Sequence, residues 1–325
     1  MKHIILIFII TITFFSCGDQ NRQEERIVSE SSGRINNLSV VIDNDLWEGS
    51  IGKTIRDSIG VAVYGLPQDE PSFTMSQMPP SVFTGFTRKN RTVLKIEKGK
   101  PTDTKYYENA YARPQRVVVV SGNTNKEIVD EIVKNQTKII STFKNTEIKE
   151  NQRRIKKSLH KNNNLEEKLG LTISFPTAYR VATEQDNFFW LRKDIRTGTL
   201  NLMVYEMPLN TISKDENAIN DVIRMRDSIG QAYIPGPLEG TYMITEDAYT
   251  PFIGQTILDN KPTTLTKSTW EVKGAFMSGP FINYAIEDRV NNRLVVIEGF
   301  AFAPSVAKRD HMFELEAIIK SIKIK

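Results

Sequence analysis

The chain has 325 residues, of which 39% are hydrophobic and 25% charged, and its formal net charge is +4. These values exclude a collagen-like, low-complexity or wholly disordered protein, and so small a charge does not indicate nucleic-acid binding. The single cysteine excludes an intramolecular disulfide framework and a cysteine-rich zinc site. Three histidines leave few ways to build a histidine-based centre, so we expect neither a metal nor a cofactor.

The amino-terminal segment has the pattern of an export signal. Lys2 precedes an apolar stretch, residues 4–15, which is too short to span a bilayer but fits the hydrophobic region of a signal peptide. The stretch ends at Ser16 and Cys17, which resembles the bacterial lipobox. The resemblance implies a signal peptide over residues 1–16, lipid attachment at Cys17, and acyl chains such as palmitate on the new amino terminus. An ordinary secretory signal with an incidental cysteine is the alternative.

The residues after the cysteine indicate a destination. Gly18, rather than an aspartate, follows Cys17, so the inner-membrane retention signal known from enteric bacteria is missing. We therefore expect the outer membrane, with the lipid bilayer as a partner through acylated Cys17. Residues 18–21 form only a weak acidic cluster, which favours the periplasmic face over the cell surface. Residues 17–33 contain few apolar side chains and are predicted to be a lipidated, flexible tether.

The rest of the chain is long enough for two domains, which we predict at residues 34–160 and 161–325. Consecutive strands with few helices between them favour antiparallel sheets covered by helices, so the expected fold class is α+β. The expected strands are 93–96, 116–120, 171–175, 188–192, 200–205, 269–272 and 294–302. Helices are expected after the capping boxes Thr124/Glu127 and Ser213/Glu216 and near the carboxyl terminus.

Three short similarities recur in the same order along the two halves. Apolar strands begin at Asn37 and Asn201. The sequence RDSIG follows in both halves, at 56–60 and 226–230. Two β-branched runs, 116–122 and 293–299, each lead into a helix. This pattern predicts an internal duplication that gives two related antiparallel sheets.

The duplication makes specific structural predictions. Gly60 and Gly230 should end equivalent helices, because glycine reaches a positive φ without a Cβ clash. Ile59 and Ile229, one residue earlier, should both be buried.

Four segments resemble a known family. They are RINNL at 34–38, YARPQ at 111–115, YIPGP at 233–237 and VIEGF at 296–300. These segments resemble an uncharacterised lipoprotein family of Bacteroidota, domain of unknown function 4837. The resemblance implies an envelope address and a lipid anchor, and it assigns no catalytic residue. The second half is also faintly similar to a PsbP-type α/β/α sandwich, a likeness of fold alone.

Few side chains suggest a binding site or a reaction. Residues 49–54 imitate a phosphate-binding loop, but Trp47 stands where its first glycine is required, so we expect no nucleotide. Core packing is the favoured explanation of the aromatic strand at 188–192, and within it Trp190 and Arg192 are the candidate ligand contacts. The basic segment 144–161 is interpreted as a solvated helix end, with contact to anionic lipid as the alternative.

Two functions remain open. The first is a membrane-anchored envelope lipoprotein that acts as a non-enzymatic binding or scaffold module, with an envelope protein or glycan as partner. The alternative is a carboxylate-dependent hydrolase of envelope carbohydrate or peptide. Two converged acids with raised pKa values in one pocket would favour the hydrolase, and a groove between the two halves would favour binding.

Overall fold

The computed structural model describes residues 28–161 and 163–325. The predicted signal peptide and Cys17 lie outside the described residues. Of the predicted tether, residues 28–33 are described, and Ser29–Glu30 pair with a second short strand, Ala112–Arg113. In the described ranges no helix is long and apolar enough to span a bilayer.

The described residues form six α-helices and seventeen strands. The helices are α1 (Asn44–Glu48), α2 (Ser50–Ser58), α3 (Asn125–Ile155), α4 (Asn164–Leu169), α5 (Ala218–Tyr233) and α6 (Arg309–Ile319). The strands are β1 (Ser29–Glu30), β2 (Asn37–Val41), β3 (Thr74–Met78), β4 (Thr92–Lys98), β5 (Asp103–Glu108), β6 (Ala112–Arg113), β7 (Arg116–Gly122), β8 (Leu171–Thr172), β9 (Arg180–Glu184), β10 (Phe188–Ile195), β11 (Gly198–Pro208), β12 (Tyr242–Thr245), β13 (Phe252–Leu258), β14 (Lys261–Lys273), β15 (Ala275–Asp288), β16 (Arg293–Phe302) and β17 (Lys323–Ile324).

The first half is built on a five-stranded sheet in the order β3-β2-β4-β7-β5. One face of this sheet packs against α2 and α3, and the shared core includes Leu38, Ile55 and Phe143. The start of α3 is fixed as the capping box predicts: the Thr124 hydroxyl accepts a hydrogen bond from the Glu127 amide at 3.2 Å. The Glu127 carboxylate accepts in return from the Asn123 amide at 2.9 Å.

This first sheet differs from the expected antiparallel one. Strand β2 is parallel to β3 and β4, and β4 is parallel to β7, so only the edge strand β5 is antiparallel. The reason lies in the connections. Parallel neighbours require a crossover of about a dozen residues or more, and α1, α2 and the long loops of this half provide such crossovers.

The second half contains an eight-stranded antiparallel sheet in the order β12-β14-β15-β16-β11-β10-β9, with β13 also paired to β14. One face packs against α5 and the other against α6. The expected α+β class is confirmed, and this half has the three-layer arrangement that the PsbP-type resemblance implies. The predicted Ser213/Glu216 capping box does not form, because α5 begins later and the Ser213 amide donates to Asp221 at 2.8 Å.

The expected duplication is not found in the strand pairings, since a duplicated sheet would keep its strand directions and these two sheets do not. The first RDSIG segment ends α2, whereas the second lies inside α5, which continues to Tyr233. Ile59 is fully buried and Ile229 only partly buried. Gly60 lies just past the C-cap of α2 as predicted, but Gly230 lies inside α5, and neither glycine has the expected positive φ. Gly230 serves close packing, because a Cβ there would lie 2.1 Å from the Met243 carbonyl oxygen.

Candidate functional site

A loop of the first half, residues 61–72, lies against the second sheet. Its arms pair through the bridge between Ala62 and Pro71 and through the Val63 amide, which donates to the Glu70 carbonyl at 2.9 Å. We call this loop the docking hairpin. Near its tip, the Tyr64 hydroxyl donates to the Thr250 carbonyl of the second half at 3.2 Å. The hairpin thus joins the two halves.

The docking hairpin also caps α6. The Glu70 carboxylate accepts hydrogen bonds from the backbone amides of Lys308, at 2.7 Å, and Arg309, at 2.9 Å. A carboxylate at this position satisfies free amides of the first helical turn and interacts favourably with the helix dipole. Arg309 donates back to the Pro71 carbonyl at 2.9 Å. These contacts fix the hairpin on α6.

An open cavity of about 370 Å³ lies between the docking hairpin and β14. We call it the hairpin cavity. Its walls come from hairpin residues 62–67 and 69 and from residues 248–250 of the facing loop. Thr269 of β14 lines it, is 4% exposed, and its hydroxyl has no hydrogen-bond partner among the described residues. The cavity therefore combines apolar walls with a buried polar group.

Gly65 allows the hairpin to lie this close to the sheet. Its φ is +84°, a conformation that side chains rarely adopt. A Cβ on Gly65 would lie 3.0 Å from the Lys267 Cβ. Glycine is therefore required here both by the turn and by the close approach to β14.

Beneath the hairpin, charged side chains of both halves surround a small cavity of about 40 Å³. Lys144 comes from α3, Lys267 from β14, and Glu316 from α6. The Glu316 Oε1 atom accepts hydrogen bonds from the Tyr284 hydroxyl at 3.1 Å and from Lys320 Nζ at 2.7 Å. We call the three lysines and Glu316 the cation cluster.

The electrostatics and burial around the cation cluster shift three pKa values. Burial, with Lys267 nearby, lowers the pKa of Lys144 to about 8, although Glu316 opposes this shift. Burial alone would raise the pKa of Glu316, but Lys267 and Lys320 outweigh it and lower that pKa to about 2. Burial and the neighbouring Glu316 raise the pKa of Tyr284 well above its ordinary value. Glu316 is therefore ionised throughout the physiological range.

A second charged group is enclosed between α5 and the second sheet. Arg226 donates to both oxygens of Glu298, at 2.8 and 2.7 Å, and its guanidinium lies 3.7 Å from the centroid of the Phe281 ring. Asn283 donates to the same carboxylate at 2.8 Å. Arg226 is 1% exposed and Glu298 is 0% exposed, so this pair is part of the core and inaccessible to a ligand.

The first half has a comparable buried pair. Arg91 donates to Glu147 at 2.7 Å, and the two side chains are 2% and 0% exposed. Burial raises the pKa of Glu147, while the hydrogen bond from Arg91 opposes that shift. Because both groups are enclosed by protein, this pair belongs to the packing of α3 on its sheet.

The structure places the predicted ligand contacts away from the hairpin cavity. Trp190 is half-buried against the α5-side core, and its Nε1 donates to Asn201 at 3.1 Å. Arg192 lies two residues further along β10 and donates to Asp194 at 3.2 Å. The two share one face of β10 but line neither cavity described above, and their role as contacts stays a prediction. Cys17, the predicted lipid site, lies outside the described residues.

The carboxyl groups with raised pKa values do not converge. Glu147 is enclosed by the first half, and Glu271 lies on β14 of the second, where burial and the nearby Glu246 raise its pKa. Neither lines the hairpin cavity. Across the described ranges, no group of three or more His, Cys, Asp or Glu side chains has the arrangement of a metal site.

The family model described as domain of unknown function DUF4837 matches residues 158–321, about half of the chain. The chain belongs to this family. The predicted resemblance to domain of unknown function 4837 is thereby confirmed, and the DUF4837 region contains the second sheet, Arg226 and Glu298. A second model, domain of unknown function DUF8532, matches residues 31–156, which include the motifs at 34–38 and 111–115.

Comparison with curated proteins gives no match. Among solved structures, the crystal structure of the Saccharomyces cerevisiae Ran-binding protein Mog1p resembles part of this chain. The identity is 11% and the TM-score 0.31, over 47% of this chain and 89% of that one. At this TM-score nothing is transferred from that protein to the DUF4837 protein.

Proposed function

We propose that this protein is a lipoprotein of the cell envelope, anchored through Cys17, that acts as a non-enzymatic binding module. The anchor is supported by the apolar stretch that ends at Ser16 and Cys17. The residues after the cysteine support the outer membrane, with the periplasmic face favoured. An envelope protein or glycan partner is part of the same proposal.

The observation that carries the binding function is the hairpin cavity. Ligand sites commonly measure about 300–1,000 Å³ and occur at junctions between structural units. The hairpin cavity, at about 370 Å³, lies where the docking hairpin of one half meets β14 of the other. Its mostly apolar walls fit a small, mostly apolar ligand, or one apolar group of a larger partner.

The geometry favours binding over hydrolysis. The carboxyls with raised pKa values lie on different halves, so they cannot act as an acid–base pair. Lys144 has a lowered pKa, but the cavity beside it, at about 40 Å³, has no room for a carbohydrate or peptide. The hydrolase alternative therefore receives no support from these groups.

Lipidation is tested by the substitution Cys17→Ala. Without the thiol there is no atom to receive the diacylglyceryl group, so we expect an unacylated precursor that retains residues 1–16. The measurement is mass spectrometry of the protein together with detergent partitioning. A processed, acylated Cys17→Ala protein would show that the assignment is wrong.

The binding site is tested with the substitution Ala248→Trp. Ala248 lines the hairpin cavity and is exposed, so an indole there should fill the cavity without disturbing the core. We expect the neutral fluorescent probe N-phenyl-1-naphthylamine to bind the wild-type protein at one site, and the variant at least tenfold more weakly.

The matched control for this experiment is Ala232→Trp, at an exposed position of α5 outside the cavity. It should bind the probe as the wild type does. Equal probe affinity in Ala248→Trp and the wild-type protein would contradict the placement of the site.

A further inference from the structure

The cation cluster carries more positive than negative charge. Three ammonium groups, those of Lys144, Lys267 and Lys320, face a single carboxylate, Glu316. The nearby Arg309 does not change this balance, because its own acidic neighbour Asp310 pairs with it at 2.9 Å. The cluster therefore lies in a region of net positive potential between the two halves.

Two of the three lysines have no acceptor. Lys320 donates to Glu316 at 2.7 Å. Neither Lys144 nor Lys267 forms a hydrogen bond or an ion pair within the described part of the chain. A partly buried ammonium group without an acceptor is unfavourable, because it has lost water and gained no hydrogen bond.

Aromatic rings compensate only in part for the hydrogen bonds that Lys144 lacks. The Lys144 Nζ atom lies 5.6 Å from the centroid of the Phe73 ring and 5.4 Å from that of the Phe313 ring. Such contacts attract a cation, but they supply no lone pair to its N–H groups. The same lysine and Lys267 line the small cavity that Glu316 and Gly65 close from other sides.

We propose that this cavity between the two halves binds one chloride-sized, monovalent anion, held by the ammonium groups of Lys144 and Lys267. The volume of about 40 Å³ sets the size of the ligand, since a water molecule needs roughly 10–15 Å³ on this scale. Chloride or bromide fits, whereas gluconate is too large. The site is a different cavity from the hairpin cavity, although hairpin residues 63–66 line both, and it does not depend on the proposed function.

The position of the site implies a role in joining the two halves. Lys144 belongs to α3 of the first half, while Lys267 belongs to the second sheet. An anion between them is attracted to both and reduces their mutual repulsion. Burial and Lys267 lower the pKa of Lys144 although Glu316 opposes them, and a bound anion would raise that pKa again.

Anion binding is tested by thermal unfolding in chloride and in gluconate at the same ionic strength and pH 7. With chloride a few-fold above its dissociation constant, the melting temperature should be higher by about 2–4 °C. The substitution Lys144→Met, which keeps the length of the side chain and removes its charge, should abolish this difference. The control Lys149→Met, at an exposed position of α3, should keep it.

Bromide provides a second readout that needs no variant. Crystals of the wild-type protein grown in bromide should show an anomalous peak between Lys144 Nζ and Lys267 Nζ. Absence of that peak would overturn the proposal. So would a chloride-dependent melting temperature of the same size in Lys144→Met and in the wild-type protein.

Discussion

Replacing Arg226 with methionine should lower the free energy of unfolding by about 3–5 kcal/mol at pH 7. Arg226 and Glu298 are almost completely enclosed between α5 and the second sheet, and the guanidinium donates to both carboxylate oxygens. Methionine fills much of the same volume but provides no donor. The substitution would leave Glu298 charged, buried and bonded through Asn283 alone, which is the costly part of breaking such a pair.

Urea unfolding with two further variants separates charge from packing. Arg226→Met combined with Glu298→Gln should be more stable than Arg226→Met alone, because the buried negative charge has been removed as well. The control Arg224→Met lies on the same helix at an exposed position, and it should change stability by less than about 0.5 kcal/mol. A loss below about 1 kcal/mol for Arg226→Met would contradict the structural role assigned to this pair.

The substitution Glu316→Gln should have the next largest effect, a loss of about 2–3 kcal/mol at pH 7. Glu316 is the single carboxylate of the cation cluster, and three lysines stabilise its charge. Glutamine keeps the shape and an acceptor for the Tyr284 hydroxyl but removes the charge. The repulsion among the lysines of α3, β14 and the end of α6 would then no longer be offset by this carboxylate.

The lowered pKa of Glu316 predicts how the stability of the protein depends on pH. The pKa of Glu316 is about 2 in the folded protein, against an ordinary value of 4.5. Because the folded-state pKa is depressed, the stabilisation is fully present above about pH 4.5 and is lost as the pH falls towards 2. In the wild-type protein the free energy of unfolding should therefore fall across this window, and Glu316→Gln should remove that part of the dependence.

The matched control for this prediction is Glu314→Gln. Glu314 lies on the same helix and pairs with Lys193 at 2.8 Å, with both side chains 22% exposed. Its loss should cost less than about 1 kcal/mol, because the pair is partly solvated. Equal losses from Glu314→Gln and Glu316→Gln, measured by urea unfolding at pH 7, would contradict the special role of the cation cluster.

Local chemistry made part of this fold predictable from sequence. The capping box at Thr124 and Glu127 starts α3 where expected, because both partners lie within one helical turn. The burial of Ile128 and Ile132 follows from their spacing of four residues on one helix face. The α+β class follows from the runs of consecutive strand signals with few helices between them.

Contacts between distant residues were not predictable in the same way. Strand direction in the first sheet depends on how its crossovers pack, and the repeated RDSIG segment says nothing about them. Glu70 caps a helix that begins more than 200 residues later in the chain, and Arg226 meets Glu298 across a sheet. A single sequence carries no signal for such pairs.

For one residue of the cation cluster, Lys144, the sequence contained a weak signal of burial. The basic segment 144–161 was interpreted as a solvated helix end, yet Lys144 lies partly buried against Phe73 and Phe313. Its position, four residues from both Ile140 and Ile148, places it on the apolar face of α3. That spacing could have distinguished Lys144 from the exposed lysines further along the helix.

Whether the hairpin cavity is occupied in the native envelope can be measured by native mass spectrometry of the protein after gentle extraction. We expect the wild-type protein and Ala232→Trp to carry one additional small molecule per chain, and Ala248→Trp to carry none. An unliganded wild-type protein, or the same bound mass in Ala248→Trp, would contradict a binding function located in this cavity.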